Sequence, residues 1–167
     1  LDLLLGWYRI VTTSTAHTLL GHENISLASM WGKWWRPEAA PLALTVASAG
    51  VVFATAGAAV AVRKRVRAPA GLEYAAFAFL VPLLSPQGWD YLLLLGLPGY
   101  MCLLDRWRDT PWPWRAVMIG GLSVTSFAIY DVMRRPLYMF VVNNGMTTLG
   151  ALAILACLLR LRWRALA

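Results

Sequence analysis

A chain of 167 residues in which 59% are hydrophobic and only 14% charged is too apolar for an ordinary soluble domain, where ~25% of residues carry charge. A mean hydropathy of +0.59 and 9 Trp point the same way, and the composition predicts an integral membrane protein. The 15 Lys and Arg against 8 Asp and Glu come with no nucleic-acid-binding motif, which argues against a nucleic-acid partner. Cys102 and Cys157 both fall in apolar runs, so neither a disulfide framework nor a zinc site is indicated and both read as small core residues.

The chain opens on Leu1 inside an aromatic and apolar segment interrupted by Arg9, without a basic leader and cleavage site; it reads as the C-terminal piece of a longer protein. Gly21, His22, Glu23, Asn24, Ile25, Ser26 and Leu27 then form a polar stretch. Behind it Leu27, Met30, Trp31, Trp34 and Trp35 recur at helical spacing, which predicts a short helix lying at the membrane interface. Those tryptophans read either as an aromatic belt or as a surface on which a substrate stacks. Asn24 or Ser26 suits the cap of that helix, or its first amides together with Lys33 suit a phosphate.

Pro41 to Val62 is an Ala- and Val-rich run ended by Arg63, Lys64, Arg65 and Arg67, long enough as a helix to cross ~30 Å of hydrocarbon. Gly71 to Leu84 and Leu92 to Leu104 are each short for a crossing and read together as a helical hairpin. Its tip is a polar knot of Ser85, Pro86, Gln87, Gly88, Trp89, Asp90 and Tyr91. Trp114 to Tyr130 makes a fourth span and Tyr138 to Leu159 a fifth, closed by Arg160, Arg162 and Arg164. The expected fold is all-α: a polytopic integral membrane protein with about five transmembrane helices plus a short extracytoplasmic interfacial helix. No repeat or flexible linker divides residues 1–167, so one membrane domain is expected.

The positive-inside rule then orients the spans. The loops after the first and third spans and the C-terminal tail carry Arg63, Lys64, Arg65, Arg67, Arg106, Arg108, Arg115, Arg160, Arg162 and Arg164, ten of the 15 basic residues. With Glu73, Asp105 and Asp109 counted on that side and Asp2, Glu23, Glu38, Asp90 and Asp131 on the other, the whole formal excess of +7 is cytoplasmic. His17, His22, Asn24 and the polar knot fall on the extracytoplasmic side, and the C-terminus on the cytoplasmic side of the cell membrane.

Polar groups persist at membrane depth only where they are buried in protein or line a wet cavity, which makes Asp90 a functional candidate. Elsewhere, Asp131 reads as an ion-pair partner of Arg134 or Arg135, unless those arginines clamp a lipid phosphate. Asn143 and Asn144 read as interhelical hydrogen-bonding groups, and Glu73 as a marker of the interface. Glu23 and Asp90 are far apart in sequence and lack ligand spacing, so no metal is expected.

Asn24, Ile25, Ser26 and Leu27, followed after one span and a basic loop by Leu84, Ser85, Pro86, Gln87, Gly88, Trp89, Asp90 and a leucine-rich helix, resemble the C-terminal half of glycosyltransferase family 87. These polytopic GT-C enzymes include mannosyl- and arabinofuranosyltransferases that use polyprenyl-phosphate sugars. The family pattern is approximately Asn, Gln, Ser, Leu for the first motif and Ser, Pro, Ile, Ser, Trp, Asp, His for the second. Asn24, Ser26 and Leu27 match the first, with Ile25 in place of Gln; Ser85, Pro86, Trp89 and Asp90 match the second, while Gln87, Gly88 and Tyr91 depart from it.

The resemblance implies an inverting transfer on the extracytoplasmic face. A carboxylate takes the proton of an acceptor hydroxyl, the hydroxyl oxygen attacks the anomeric carbon, and the lipid phosphate leaves. It places that base in an earlier extracytoplasmic loop, which makes Asp90 a substrate-orienting carboxylate, with a direct catalytic role and helix capping as alternatives. The family histidine near the donor phosphate falls at Tyr91, which donates a hydrogen bond but carries no positive charge at neutral pH; His22 or Lys33 takes its place, or the activity is altered. The implied substrate-binding set is His22, Asn24, Ser26, Lys33, Ser85, Trp89, Asp90 and Tyr91. The implied partners are a polyprenyl-phosphate sugar donor, a glycolipid or glycan acceptor and membrane lipids, with no cofactor. The rival reading is a non-catalytic membrane protein, either a lipid-carrier binding or flipping subunit or a small transporter, since Pro- and Gly-interrupted short segments also mark transporter sites.

Overall fold

The Ala- and Val-rich run forms the longest helix of a helical bundle, whose computed structural model describes residues 5–6, 18–35, 42–65 and 70–165. Arg9, His17, Arg36, Pro41 and Arg67 lie outside the described residues. In chain order the helices are α1 (Leu27–Trp35), α2 (Leu42–Ala61), α3 (Ala70–Leu84), a 3-10 helix (Asp90–Gly96) that runs into α4 (Leu97–Asp105), α5 (Trp112–Phe127), α6 (Tyr130–Asn143) and α7 (Met146–Arg164), with a single 3-10 turn at Arg63–Arg65.

Among the described residues, two helices, α2 and α7, are long and apolar enough to cross a membrane, or three spans if the bent pair α5 and α6 counts as one. They occupy opposite positions in the bundle. On α2 only Ala56 and Ala59 are buried, while Leu42, Val46, Val51 and Phe53 point outward. A helix apolar all round and exposed on most sides suits a hydrocarbon surrounding. α7 is the central helix, with Ala151, Ile154 and Leu158 fully enclosed against Phe79, Leu83, Leu103 and Met118. Gly121 of α5 meets Gly150 of α7 so closely that a Cβ on Gly121 would lie 3.0 Å from the Gly150 carbonyl oxygen, the small-residue approach that lets membrane helices gain dispersion contact.

Side-chain contacts fix the path. Trp31 Nε1 donates to Ser48 Oγ on α2, and Trp34 Nε1 donates to the Asn144 carbonyl just before α7; at their far ends Arg162 Nη2 donates to the Ala59 carbonyl. α2 and α7 therefore run in the same direction. α3 returns from Glu73, beside Arg162, to the polar knot. The 3-10 helix and α4 go back again, with Tyr100 donating to Thr125 of α5 on the way. α5 starts with Trp114 under the Arg160 guanidinium. Five passes thus connect an arginine end, carrying Arg63, Arg115, Arg160 and Arg162, with a motif end, carrying residues 21–26 and the knot.

Several sequence expectations change. The helix expected over Leu92 to Leu104 begins as a 3-10 helix at Asp90 and becomes α only at Leu97. Pro98, at the start of α4, has no N–H to give the Leu94 carbonyl, and the Leu97 amide takes that carbonyl in the tighter pattern. At about 2.0 Å per residue the 7 residues of the 3-10 helix, with the 9 of α4, cover about 27 Å, where an α-helix of the same length would fall short.

The fifth span expected over Tyr138 to Leu159 is not one helix. It breaks at Asn144 and Gly145, where Gly145 has φ 63°, the left-handed cap that glycine adopts without strain. Asn144 Nδ2 closes the end of α6 by donating to the Phe140 carbonyl. Residues 130–143, expected in part as an outer loop, form α6, turned 109° from α5. Within it Arg134 is non-helical at φ 58°, two residues before Pro136, which removes one helix donor. Neither Arg134 nor Arg135 pairs with Asp131 among the described residues, contrary to expectation.

Glu73 also differs from expectation. It is 7% exposed, accepts from Arg162 Nε at 3.1 Å and Nη2 at 2.8 Å, and pairs with Arg63 at 3.2 Å. It is the centre of a buried ionic knot, not a surface marker.

Candidate functional site

The two polar motifs, some sixty residues apart in the chain, are stitched together by main chain. The Ile25 amide donates to the Gly88 carbonyl at 2.7 Å and the Asp90 amide to the Glu23 carbonyl at 3.0 Å, making an isolated antiparallel bridge between Asn24 and Trp89. Gly88 is required by this approach: a Cβ there would run into the Pro82 carbonyl oxygen and press on the Ser26 amide. Glu23 and Asp90, distant in sequence, become neighbours.

Several of the expected binding residues are occupied in holding this junction. Asn24 is buried; its Nδ2 donates to the Pro86 carbonyl at 2.9 Å and the Thr18 carbonyl at 3.3 Å, and its Oδ1 accepts from the Ser26 amide at 2.9 Å. Ser26 Oγ accepts from the Ser29 amide at 3.1 Å, capping α1. Ser85 Oγ accepts from the Gln87 amide inside the turn of the knot. Lys33 Nζ reaches back along α1 to the Asn24 carbonyl at 2.9 Å and the His22 carbonyl at 3.5 Å. Burial pulls the Lys33 ammonium down to about 8 from its ordinary 10.5, because the charged form loses its water. These bonds direct Lys33 to backbone oxygens and away from an incoming phosphate.

A cavity of about 220 Å³ opens beside the junction, lined by Thr18, Gly21, His22, Glu23, Asn24, Gln87 and Trp89. It is smaller than the ~300–1,000 Å³ of a drug-sized site and suits one small polar moiety. Of the expected residues it brings together His22, Asn24 and Trp89. Ser26, Lys33, Ser85, Asp90 and Tyr91 surround the junction without lining the cavity. Asp90 opens the 3-10 helix. Tyr91 is 59% exposed and stacks on Trp89 with centroids 6.2 Å apart and planes 19° from parallel, widening the aromatic wall.

Three contributors were not singled out from sequence as binding residues. Glu23 and Gln87 line the cavity. α6 closes the end from above, with Asn143 Oδ1 2.7 Å from His22 Nδ1 and the Tyr138 phenol within electrostatic reach of both Asp90 and Glu23. Gln87 stands inside the polar knot, which was the available signal. Of the α6 contribution, Asn143 was expected as an interhelical hydrogen-bonding group, and its place over His22 follows from the break at Gly145.

The aromatic helix divides between two roles. Leu27 and Met30 are buried in the bundle, while Trp34 and Trp35 are exposed and both contact the Trp31 ring, at 5.3 and 5.6 Å between centroids. Among the described residues no group of three His, Cys, Asp or Glu side chains is placed to hold a metal ion. No protein-family model, curated protein or solved structure matches the chain.

Proposed function

We propose that the chain belongs to a membrane glycosyltransferase that moves a sugar of the mannose or arabinofuranose type from a polyprenyl-phosphate donor to a glycolipid or envelope glycan on the extracytoplasmic face. The observation that carries the reading is the Asn24–Trp89 junction, which joins the two motifs of the family resemblance around one cavity at the end opposite the arginines. The positive-inside rule puts the arginine end in the cytoplasm and the cavity outside, with the five passes as crossings.

In this reading Trp89 is the apolar wall for the sugar ring, and Gln87 and Glu23 meet its hydroxyls. His22, the cation candidate that lines the cavity, stands toward the donor phosphate, because Lys33 is held by backbone carbonyls. Asp90 orients the junction through its place at the head of the 3-10 helix. The acceptor hydroxyl gives its proton to a carboxylate, its oxygen bonds to the anomeric carbon, and the polyprenyl phosphate departs with the electron pair of the broken bond. Glu23 is the carboxylate at the cavity; a loop elsewhere in the protein is the other source of that base.

The test uses membranes containing the protein, a labelled polyprenyl-phosphate mannose or arabinofuranose, and endogenous acceptors. Transfer should be detectable, and Trp89→Ala and Glu23→Gln should each lower it by about tenfold or more, a loss of about 1.4 kcal/mol in transition-state stabilisation. Unchanged transfer in both variants would remove the site. Retention of the labelled donor with no product would instead assign the cavity to a carrier-binding or flipping protein.

A further inference from the structure

A second cavity lies away from the motif junction. It is a groove of about 390 Å³ between α2 and α7. Val51, Val52 and Thr55 form one wall, and Leu152, Leu155 and Leu159 the other. Its interior offers nothing for a polar ligand, since the Thr55 hydroxyl donates to the Val51 carbonyl of its own helix.

The groove ends in charge. Arg160 and Trp163 line its mouth, and the Arg160 guanidinium is steadied 4.8 Å from the centre of the Trp114 ring. Two residues on, the bond from Arg162 to the Ala59 carbonyl, 2.7 Å long, ties α7 to α2 and holds the two walls at a set spacing. Of the acids at this end, Glu73 holds Arg162 and Arg63, and Asp105 pairs with Arg106. Among the described residues no carboxylate pairs with Arg160 or Arg164. A preformed hydrocarbon slot thus leads to uncompensated arginines flanked by a boundary tryptophan.

We propose that this groove binds an anionic phospholipid, one acyl chain between α2 and α7 and the phosphate on Arg160. Guanidinium takes phosphate oxygens in a paired geometry, tryptophan sits at headgroup depth, and basic pockets between membrane helices hold anionic headgroups. The inference is independent of sugar transfer and concerns the opposite end of the molecule.

The full protein, purified in detergent, is offered equal amounts of phosphatidylglycerol and phosphatidylcholine, and retained lipid is read by native mass spectrometry. Wild type should keep phosphatidylglycerol in preference, and Arg160→Gln should cut that preference about fivefold, the effect of one basic residue near an anionic surface. Ala156→Trp, which fills the groove, should release the lipid whatever its headgroup. Millimolar inorganic phosphate should leave it bound, because the chain contributes to the grip. Equal retention of the two lipids by wild type overturns the proposal without reliance on any variant. An unaltered preference in Arg160→Gln, release by phosphate alone, or a change of oligomeric state in Ala156→Trp without loss of lipid, which assigns the groove to a second copy, also overturns it.

Discussion

The two ends of the bundle handle polarity in opposite ways. At the arginine end, side chains carry formal charge into the interior: Arg162 is 1% exposed and Glu73 accepts two of its N–H groups, with Arg162 Nη1 buried and, among the described residues, without a hydrogen-bond partner. At the motif end, the main chain does the joining, through Ile25 to Gly88 and Asp90 to Glu23, and the polar side chains of Asn24, Ser26 and Ser85 serve as neutral clasps. A buried ion pair depends on both partners, because either one alone is a stranded charge in a low-dielectric interior. A main-chain junction depends on shape, since what it needs is room for two backbones to approach.

The sharpest break in that comparison is Glu73→Ala. It strands Arg162, and unfolding in detergent should show a loss of about 3–5 kcal/mol; a loss near that of a surface substitution would mean the ionic knot does not hold α3 to α7. Next comes Gly88→Ala at the other end, where the added methyl meets the Pro82 carbonyl. Overpacking of this kind costs about 1–3 kcal/mol, and the same unfolding assay should register it, together with reduced donor capture.

A smaller effect lies in pH. Between about 8 and 10.5 Lys33 is uncharged in the fold but charged in the unfolded chain, so unfolding takes up a proton and stability rises with pH across that window. Below about 8 the ammonium is charged in both states and its desolvation weighs against the fold. Lys33→Met should flatten the rise, as measured by comparing thermal midpoints at neutral and alkaline pH. The smallest change is expected from Arg63→Ala. Its side chain is 55% exposed, and an ion pair that reaches water contributes about 0–1 kcal/mol. A loss as large as that of Glu73→Ala would show that Arg63, and not Arg162, anchors the carboxylate.

Legibility in the sequence followed the range of the interactions. The Ala-rich run before Arg63, the hairpin around the polar knot and the arginine cluster at one end were all readable, because each depends on apolar length or local charge. The cap at Ser26 was readable for the same reason. The break at Gly145 was visible as Asn143, Asn144 and Gly145, a helix-ending signal, yet the long apolar count around it outweighed three residues. Glu73 was misjudged because its partners, Arg63 and Arg162, approach from two other helices, and nothing near it in sequence announces them.

The motif residues show the limit most clearly. Composition and periodicity by themselves determined an all-helical chain of membrane character with two polar interruptions and one basic end, since burial of apolar surface and the pairing of backbone groups leave few other solutions. Only the tertiary structure decided which polar side chains face a cavity. Hydrogen-bonding capacity is finite: Ser26 and Lys33 use theirs on neighbouring backbone once the two segments meet, while Asn24, Trp89, Gln87, Glu23 and His22 come to line the space beside them. A residue type says what bonds it makes, and only its packed neighbours say whether those bonds are already made.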